Sequence, residues 1–284
     1  MTEQRPGHFY EIDGNGDGER FIPTSAARGY WQKGTLSGSA AASLRGYVIE
    51  RDFLGADWIP VRLSIDMVRM PPDAPLSVET QVLHESGRLR LVEAQLVADG
   101  RVVTRAQCQI VKAGRQPDNP VWQSPAWPAP HPDTLESMAH FGRWDMRPVP
   151  AGHDRFARVA PKVEVAAEGN PAVLGHLAPV ATRQTWLKTA IEVVGGHAPS
   201  PFLMLVITGD FASPLAHSSE FGIDFVNTDF TIHLHRLPQG EWIGYELTGH
   251  NSAQGVAIGQ AAIHDVSGPL GVIVVSAIAN SRRR

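Results

Sequence analysis

Asp210 is the residue whose type and position most invite a chemical role. It falls near the C-terminal end of a helix predicted over Ser200–Leu215, SPFLMLVITGDFASPL. A carboxylate there opposes the partial negative charge of the helix end, so stability alone disfavours it. The bland alternative is a capping or salt-bridged carboxylate. His233-x-His235 has the spacing of a two-histidine metal site, but no third ligand accompanies it, so a solvated or interfacial strand face is the reading and no metal is expected. Asp66 and Arg69, on an equivalent strand earlier in the chain, read as a salt bridge. Cys108, in TRAQCQIV, alternates as a sheet or core residue rather than a nucleophile. DGNGDG at 13–18 opens like a calcium loop but lacks the spacing and the closing Glu, which leaves a flexible turn. The chain has no Walker A pattern, no GxGxxG after a strand and no GxSxG elbow. Phosphate-loop nucleotide binding and Ser-His-Asp hydrolysis are thereby set aside.

These residues need elements to position them. Residues 227–244, NTDFTIHLHRLPQGEWIG, alternate with a period of two. Phe230, Ile232 and Leu234 share one face, and Asp229, Thr231, His233 and His235 the other, as in a half-buried antiparallel strand. A turn over 237–240 leads to a return strand at Trp242. The phrase has an earlier counterpart at 63–80, LSIDMVRMPPDAPLSVET. Both copies end in Arg-x-Pro (Arg69–Pro71 and Arg236–Pro238), and both continue into strands joined by an acidic-Gly turn, at Asp99-Gly100 and at Asp265–Gly268. The shared order and spacing predict a duplicated unit.

The 284 residues allow one or two domains with a large core, and 43% hydrophobic residues exclude disorder. A net charge of −4 without a long basic run argues against nucleic acid. One cysteine excludes an internal disulfide. The N-terminus lacks the apolar stretch of a signal peptide, and no run reaches membrane-spanning length, so no membrane is expected and the cytoplasm is the expected setting.

In chain order, residues 1–18 read as polar and flexible, 21–31 as a first strand, and 35–53 as a helix whose Gly and Ala content allows close packing on a sheet. Strands follow at 58–70, 75–86, 88–98 and 101–113. Residues 114–150, rich in Pro and Trp, read as a linker with a short helix at 133–140 and a strand at 141–148. The second unit, 151–284, adds strands at 156–165 and 185–189, then the 200–215 helix with Ser200 as N-cap and Pro214 as its stop, and four strands over 225–280. The expectation is an α+β chain: an N-terminal unit at 1–113, a linker, and a C-terminal unit, each unit a long central helix wrapped by an antiparallel sheet.

Laid out this way, the chain resembles the acyl-CoA thioesterase II family. The resemblance runs from about residue 21 to 280. It is carried by WDMRPV at 144–149, ITGD at 207–210, DFTIHLHR with its Pro and GEW over 229–242, and GPLGVIVVSAIA at 268–279, with SIDMVRMP and ADGRVVTRAQ in the first unit. It implies a double hotdog fold and cleavage of acyl-CoA to free acid and CoA, with no cofactor, metal or nucleophilic serine. In this family a catalytic water is held by an Asp, a Thr and a Gln. Asp210 matches the Asp. The Thr position is Asn227, with Thr228 beside it, and the Gln position falls on Ala279. Asp210 would act as the base, its pKa raised by burial near Leu205 and Phe211. Asn227 or Thr228 would hold the water, and Asn280 or Gln254 would stand in for the missing Gln. His250, Asn251 and Ser252, expected in a loop after Leu247, and His233 are the candidate substrate-binding residues, the loop facing CoA phosphate or pantetheine. The alternative is a non-catalytic acyl-thioester or lipid-binding protein; a dehydratase would need His233 beside an acid in the pocket. Exposed sheet edges suggest a homo-oligomer.

Overall fold

Helix α1, Gly38–Phe53, starts where the sequence supplies a cap: the Ser37 side chain accepts from the Ala40 amide. Ser39 through Ile49 are all buried, so the small residues at its start let it lie close on a sheet. The computed structural model describes residues 7–14, 18–29, 31–140, 144–153, 183–219 and 222–280. Before α1 come strands β1, His8–Asp13, and β2, Arg20–Pro23; after it come β3, Trp58–Asp66, β4, Leu76–Glu85, β5, Leu89–Ala98, and β6, Arg101–Lys112. The chain continues through β7, Met138–His140, β8, Trp144–Pro148, β9, Gln184–Thr189, and β10, Glu192–Val194. Helices α2, Pro201–Gly209, and α3, Ala212–His217, precede β11, Ser218–Ser219, and β12, Gly222–Ile223, a short separate pair. Strands β13, Phe225–Asn227, β14, Asp229–Leu234, β15, Trp242–Ala253, β16, Val256–Asp265, and β17, Gly268–Ala279, complete the chain.

All strands but β11 and β12 belong to one sheet, in the order β10-β1-β2-β4-β5-β6-β3-β14-β17-β16-β15-β9-β8-β7, with β13 on β17. Its two halves meet where β3 and β14 pair antiparallel, Phe230 opposite Ile65 and Ile232 opposite Leu63, all four side chains buried. The helices pack on each other and on the sheet. Gly46 of α1 approaches Val206 of α2 so closely that a Cβ there would lie 3.3 Å from both Val206 methyls. The main core cluster is drawn from both halves, and Val149, Trp186 and Trp242 form a second, smaller one.

Several expected elements differ. The 200–215 helix is two helices. Ser200 caps it and Pro201 follows, as expected, but α2 ends at Gly209 and Pro214 sits inside α3. Pro214 has no amide to give the Asp210 carbonyl four residues back; the Ser213 amide binds it instead, at 3.3 Å, in a tighter turn. The proline therefore breaks the helix upstream of itself, and among the described residues a long central helix is present in the first half only. The stretch read as flexible holds β1, tied down by buried Phe9 and Tyr10, by antiparallel pairing with β2 and by parallel pairing with β10. Residues 15–17 of the glycine-rich run lie outside the described residues, as does the strand expected at 156–165. The first strand is short: β2 stops at Pro23, and Thr24 caps a 3-10 turn at Ser25–Ala27. The helix expected at 133–140 is a 3-10 turn, Pro132–Thr134, followed by β7, because pairing with β8 outweighs the local capping signal. The rest of the Pro- and Trp-rich stretch docks by its rings. Trp127 lies 4.9 Å from Trp186 and 4.7 Å from His264 between ring centres, and Gly244 leaves the space that a side chain would take from Trp127.

Candidate functional site

Helices α1 and α2 run antiparallel, so the end of each lies at the start of the other. Asp210, just past α2, lays its carboxylate over the first turn of α1. Ser39 Oγ donates to its Oδ2 at 3.3 Å, and a Cβ at Gly38 would lie 2.5 Å from its Oδ1. Only glycine leaves that space. The partial positive charge of the α1 N-terminus attracts the carboxylate, which accounts for a placement that α2 alone disfavours. The opposite end repeats the device. Glu50, late in α1, accepts from Oγ of Ser200, the cap of α2, at 2.5 Å. Burial pushes the Glu50 carboxyl up, partly offset by that hydrogen bond.

Asn227 ends β13 and donates from Nδ2 to Asp210 Oδ1 at 3.3 Å, with Met67 Sδ 3.0 Å from the same nitrogen. Asp210 and Asn227 thus come together. Thr228 does not join them. It lies between β13 and β14, and its hydroxyl donates to the Ser276 carbonyl at 3.2 Å. Its own carbonyl accepts from the Met67 amide. Ala279 lies opposite Phe225, exposed and against the turn at Gly255. The residue opposite Asn227 is Ala277, which is buried. Neither register position supplies a polar side chain. Asn280 and Gln254 are not among the residues lining the cleft at Asp210.

The other expected binding residues lie elsewhere. His233 is exposed on β14, opposite Arg62 of β3, and is not among the residues lining the cleft at Asp210. His250, Asn251 and Ser252 are not in a loop: they continue β15 opposite Gly259, Ile258 and Ala257, and the turn comes only at Gln254-Gly255. His250 contributes to a different crevice of about 310 Å³ with His217, Phe225 and Arg183. Among the described residues no group of three or more His, Cys, Asp or Glu side chains is placed to hold a metal, and no helix is long and apolar enough to cross a membrane.

The cleft at Asp210 has a volume of about 80 Å³ and is bounded by both halves: Gly38, Ala41 and Arg45 from α1, Met67 and Thr104 from the first half's sheet and loops, and Asn227 from the second. Gly38, Ala41 and Arg45 form one stripe, at helical positions i, i+3 and i+7. Arg45 is fully buried. Its Nε donates to the Ala41 carbonyl, and its Nη1 to Thr104 Oγ1 and the Arg105 carbonyl. Burial pushes its pKa down to about 10, against the pull of Tyr10 and Asp66, so it is a cation at neutral pH. Arg45, Gly38 and Ser39 are the members of this site that sequence reasoning missed. The one available signal was a lone arginine on an otherwise Gly- and Ala-faced stripe.

Two half-sheets joined edge to edge, each backed by helix, with a carboxylate set where one helix ends on the other, define a double hotdog architecture. The chain belongs to the acyl-CoA thioesterase family: residues 27–111 match its N-terminal domain and residues 127–274 its C-terminal domain. No curated protein matches it. Solved structures similar in fold include a candidate thioesterase II of Thermobifida fusca (16% identity, 95% of each chain, TM-score 0.67). A hot dog protein of unknown function from Alicyclobacillus acidocaldarius (12%, 94% of each chain, 0.66) is another, as is the acyl-CoA thioesterase II TesB2 of Mycobacterium marinum (14%, 95% of this chain and 96% of that, 0.60).

Proposed function

We propose that the protein hydrolyses acyl-CoA thioesters at the Asp210 cleft. The observation that carries this reading is the Asp210 carboxylate held at the start of α1, bonded by Ser39 and Asn227, in a chain of this family. Asp210 takes a proton from water as the oxygen attacks the thioester carbonyl, and Asn227 orients that water. The Gly38 and Ser39 amides at the start of α1, which no helical carbonyl can reach and which the Ser37 cap leaves to Ala40, are the donors for the developing oxyanion. The C–S bond then breaks, the proton passes to the CoA sulfur, and the free acid leaves. No cofactor enters.

A second reading, a non-catalytic thioester-binding protein, is favoured by one observation: alanine stands at both register positions, 277 and 279, that the family glutamine could occupy. Asp210→Asn separates the two. Under the first reading it lowers kcat on acyl-CoA by roughly 100-fold or more while the fold persists. Thioester binding by the wild-type chain with no release of free thiol supports the second.

A further inference from the structure

A crevice of about 310 Å³ opens at the far end of α3, lined among others by Arg183, His217, Asp224, Phe225, Leu247 and His250. That volume reaches the roughly 300 Å³ at which small-molecule pockets begin. His217 is set deepest, at 2% exposure, and neither of its ring nitrogens has a hydrogen-bond partner. The other walls are open to an incoming ligand: His250 is exposed, and Phe225, Leu247 and Arg183 are half-buried. The rings gather closely. His217 lies 5.1 Å from His250 and 6.0 Å from Phe225 between centres, and His250 lies 6.2 Å from Phe225.

A cation without an acid borders these rings. Arg183 donates from Nη1 to the Leu215 carbonyl at 2.8 Å and to Ser218 Oγ at 3.3 Å, and from Nη2 to the Ser218 carbonyl. The end of α3 thereby fixes the guanidinium, and Nε–H and the second Nη2–H are left for a ligand. Arg51 and Arg236 each lie against carboxylates; among the described residues none pairs with Arg183. Asp224 lines the crevice too, yet its charge acts on none of Arg183, His217 and His250. Burial first, then neighbouring positive charge, pushes both imidazoles down, His217 to about 4. At neutral pH each is therefore uncharged, with one donor and one acceptor. Unopposed positive charge beside rings that bond in both directions suits an anion joined to a flat heterocycle.

The position says which one. Cleft and crevice lie at the two ends of α3, and Asn227 of the one and Phe225 of the other share a face of β13, two residues apart. Ser218, which holds Arg183, is eight positions past Asp210. The cation therefore stands roughly 12 Å along the helix from the reacting carboxylate, at 1.5 Å per residue. The acyl group of a simple acyl-CoA carries no charge. A negative charge that far from its carbonyl lies on the CoA side, where the phosphates follow the pantetheine arm.

We propose that this crevice receives the nucleotide end of CoA, with the base on His250 and Phe225 and a phosphate on Arg183. This rests on Asp210 marking where the thioester lies, but not on turnover.

Calorimetric titration of the full chain with the adenosine bisphosphate portion of CoA, and with adenosine, tests it without hydrolysis. The bisphosphate should bind at least about tenfold more tightly than adenosine. Arg183→Met should bring it down to the level of adenosine, and His250→Ala should weaken it about fivefold or more. Arg183 ties down the end of α3; should its variant fail to fold, His250→Ala, at an exposed position, decides. In steady-state kinetics the bisphosphate should raise the KM of acyl-CoA and leave kcat unchanged. Bisphosphate binding that both variants weaken, without turnover of any thioester, would sustain the nucleotide site and sink the hydrolytic reading. No binding, binding that the variants leave intact, or binding that does not compete with an acyl-CoA being turned over would overturn the site and leave hydrolysis standing.

Discussion

A carboxylate at the C-terminal end of a helix meets that helix's negative pole, and on those terms Asp210 has no reason to be where it is. The answer lies 172 positions back along the chain, at Gly38, whose missing side chain lets the carboxylate sit over the start of α1. Gly38→Ala tests this directly. The added Cβ would stand 2.5 Å from Oδ1 and 2.7 Å from Oδ2, so the carboxylate must move. Alanine favours a helix over glycine by about 1 kcal/mol, which offsets part of the roughly 1–3 kcal/mol cost of overpacking. The expected outcome is a Tm within a few degrees of wild type and a kcat/KM on the preferred thioester down about 10-fold or more, since displacing a reacting group by about 1 Å can cost 100-fold. Steady-state kinetics paired with a melting curve check it; an undiminished rate would mean that the carboxylate's position is not what hydrolysis uses. Asp210 stood out in the sequence as a carboxylate set against the pole of its own helix, and Asn227 only through the resemblance to the family; that the two meet depends on packing. Thr228 was not separable from Asn227, since one residue of register turns a side chain to the other face. Arg45 was invisible because burial of a helix face depends on what packs over it.

At the scale of elements, what the sequence carries best is strand alternation, and β14 with its Arg-x-Pro ending lies where the period of two puts it. The duplicated phrase hides a divergence. In the second half Arg236 holds buried Asp265 through two bonds of 2.6 and 2.8 Å, whereas Arg69 in the first half lines the Asp210 cleft. Helix α3 was harder to read, because Pro214 acts through the carbonyl four residues before it. The short helix that results ends in His217, packed 5.1 Å from His250 and 6.0 Å from Phe225 between ring centres. Its pKa is pushed down to about 4, first by burial, then by His250 and Arg183, against the Val275 backbone, which pulls the other way. The unfolded chain therefore binds a proton at His217 below about 6.5, while the folded chain does not until about 4. Between those values the unfolded state holds more protons, so stability falls as pH falls through that window, by on the order of 2–3 kcal/mol, and is flat in this respect above it. His217→Gln should remove that slope. Urea unfolding at pH 7.5 and 4.5 measures it: a pH dependence identical in the two proteins would show that His217 is already charged in the fold.

Taken as a whole, the molecule crosses its own unit boundary repeatedly. Strands β3 and β14 pair over five residue positions; β1 of the first half pairs in parallel with β10 of the second; and α1 packs along α2, with Gly46 against Val206. The duplicated phrase made two units visible, but not this interlock. A strand's partner is set by edges far apart in sequence, and β1 carries no alternation that would announce it. Chains of this length with two units commonly unfold in more than one step. Here each half would expose the buried residues of the seam, among them Phe230, Ile232, Leu63 and Ile65, and burial of such side chains is worth about 1.5–3 kcal/mol apiece. Neither half can unfold without stripping the other's edge strand and one wall of the Asp210 cleft. The expected result is a single calorimetric transition with a van't Hoff enthalpy close to the calorimetric one, and a hydrolytic activity lost at the same temperature. Ile232→Lys, which puts a charge into the seam, should lower that one transition by several degrees without splitting it. Two resolved transitions in the wild-type chain, one for each half, would mean that the seam is weaker than its buried residues imply and that the cleft opens before the protein unfolds.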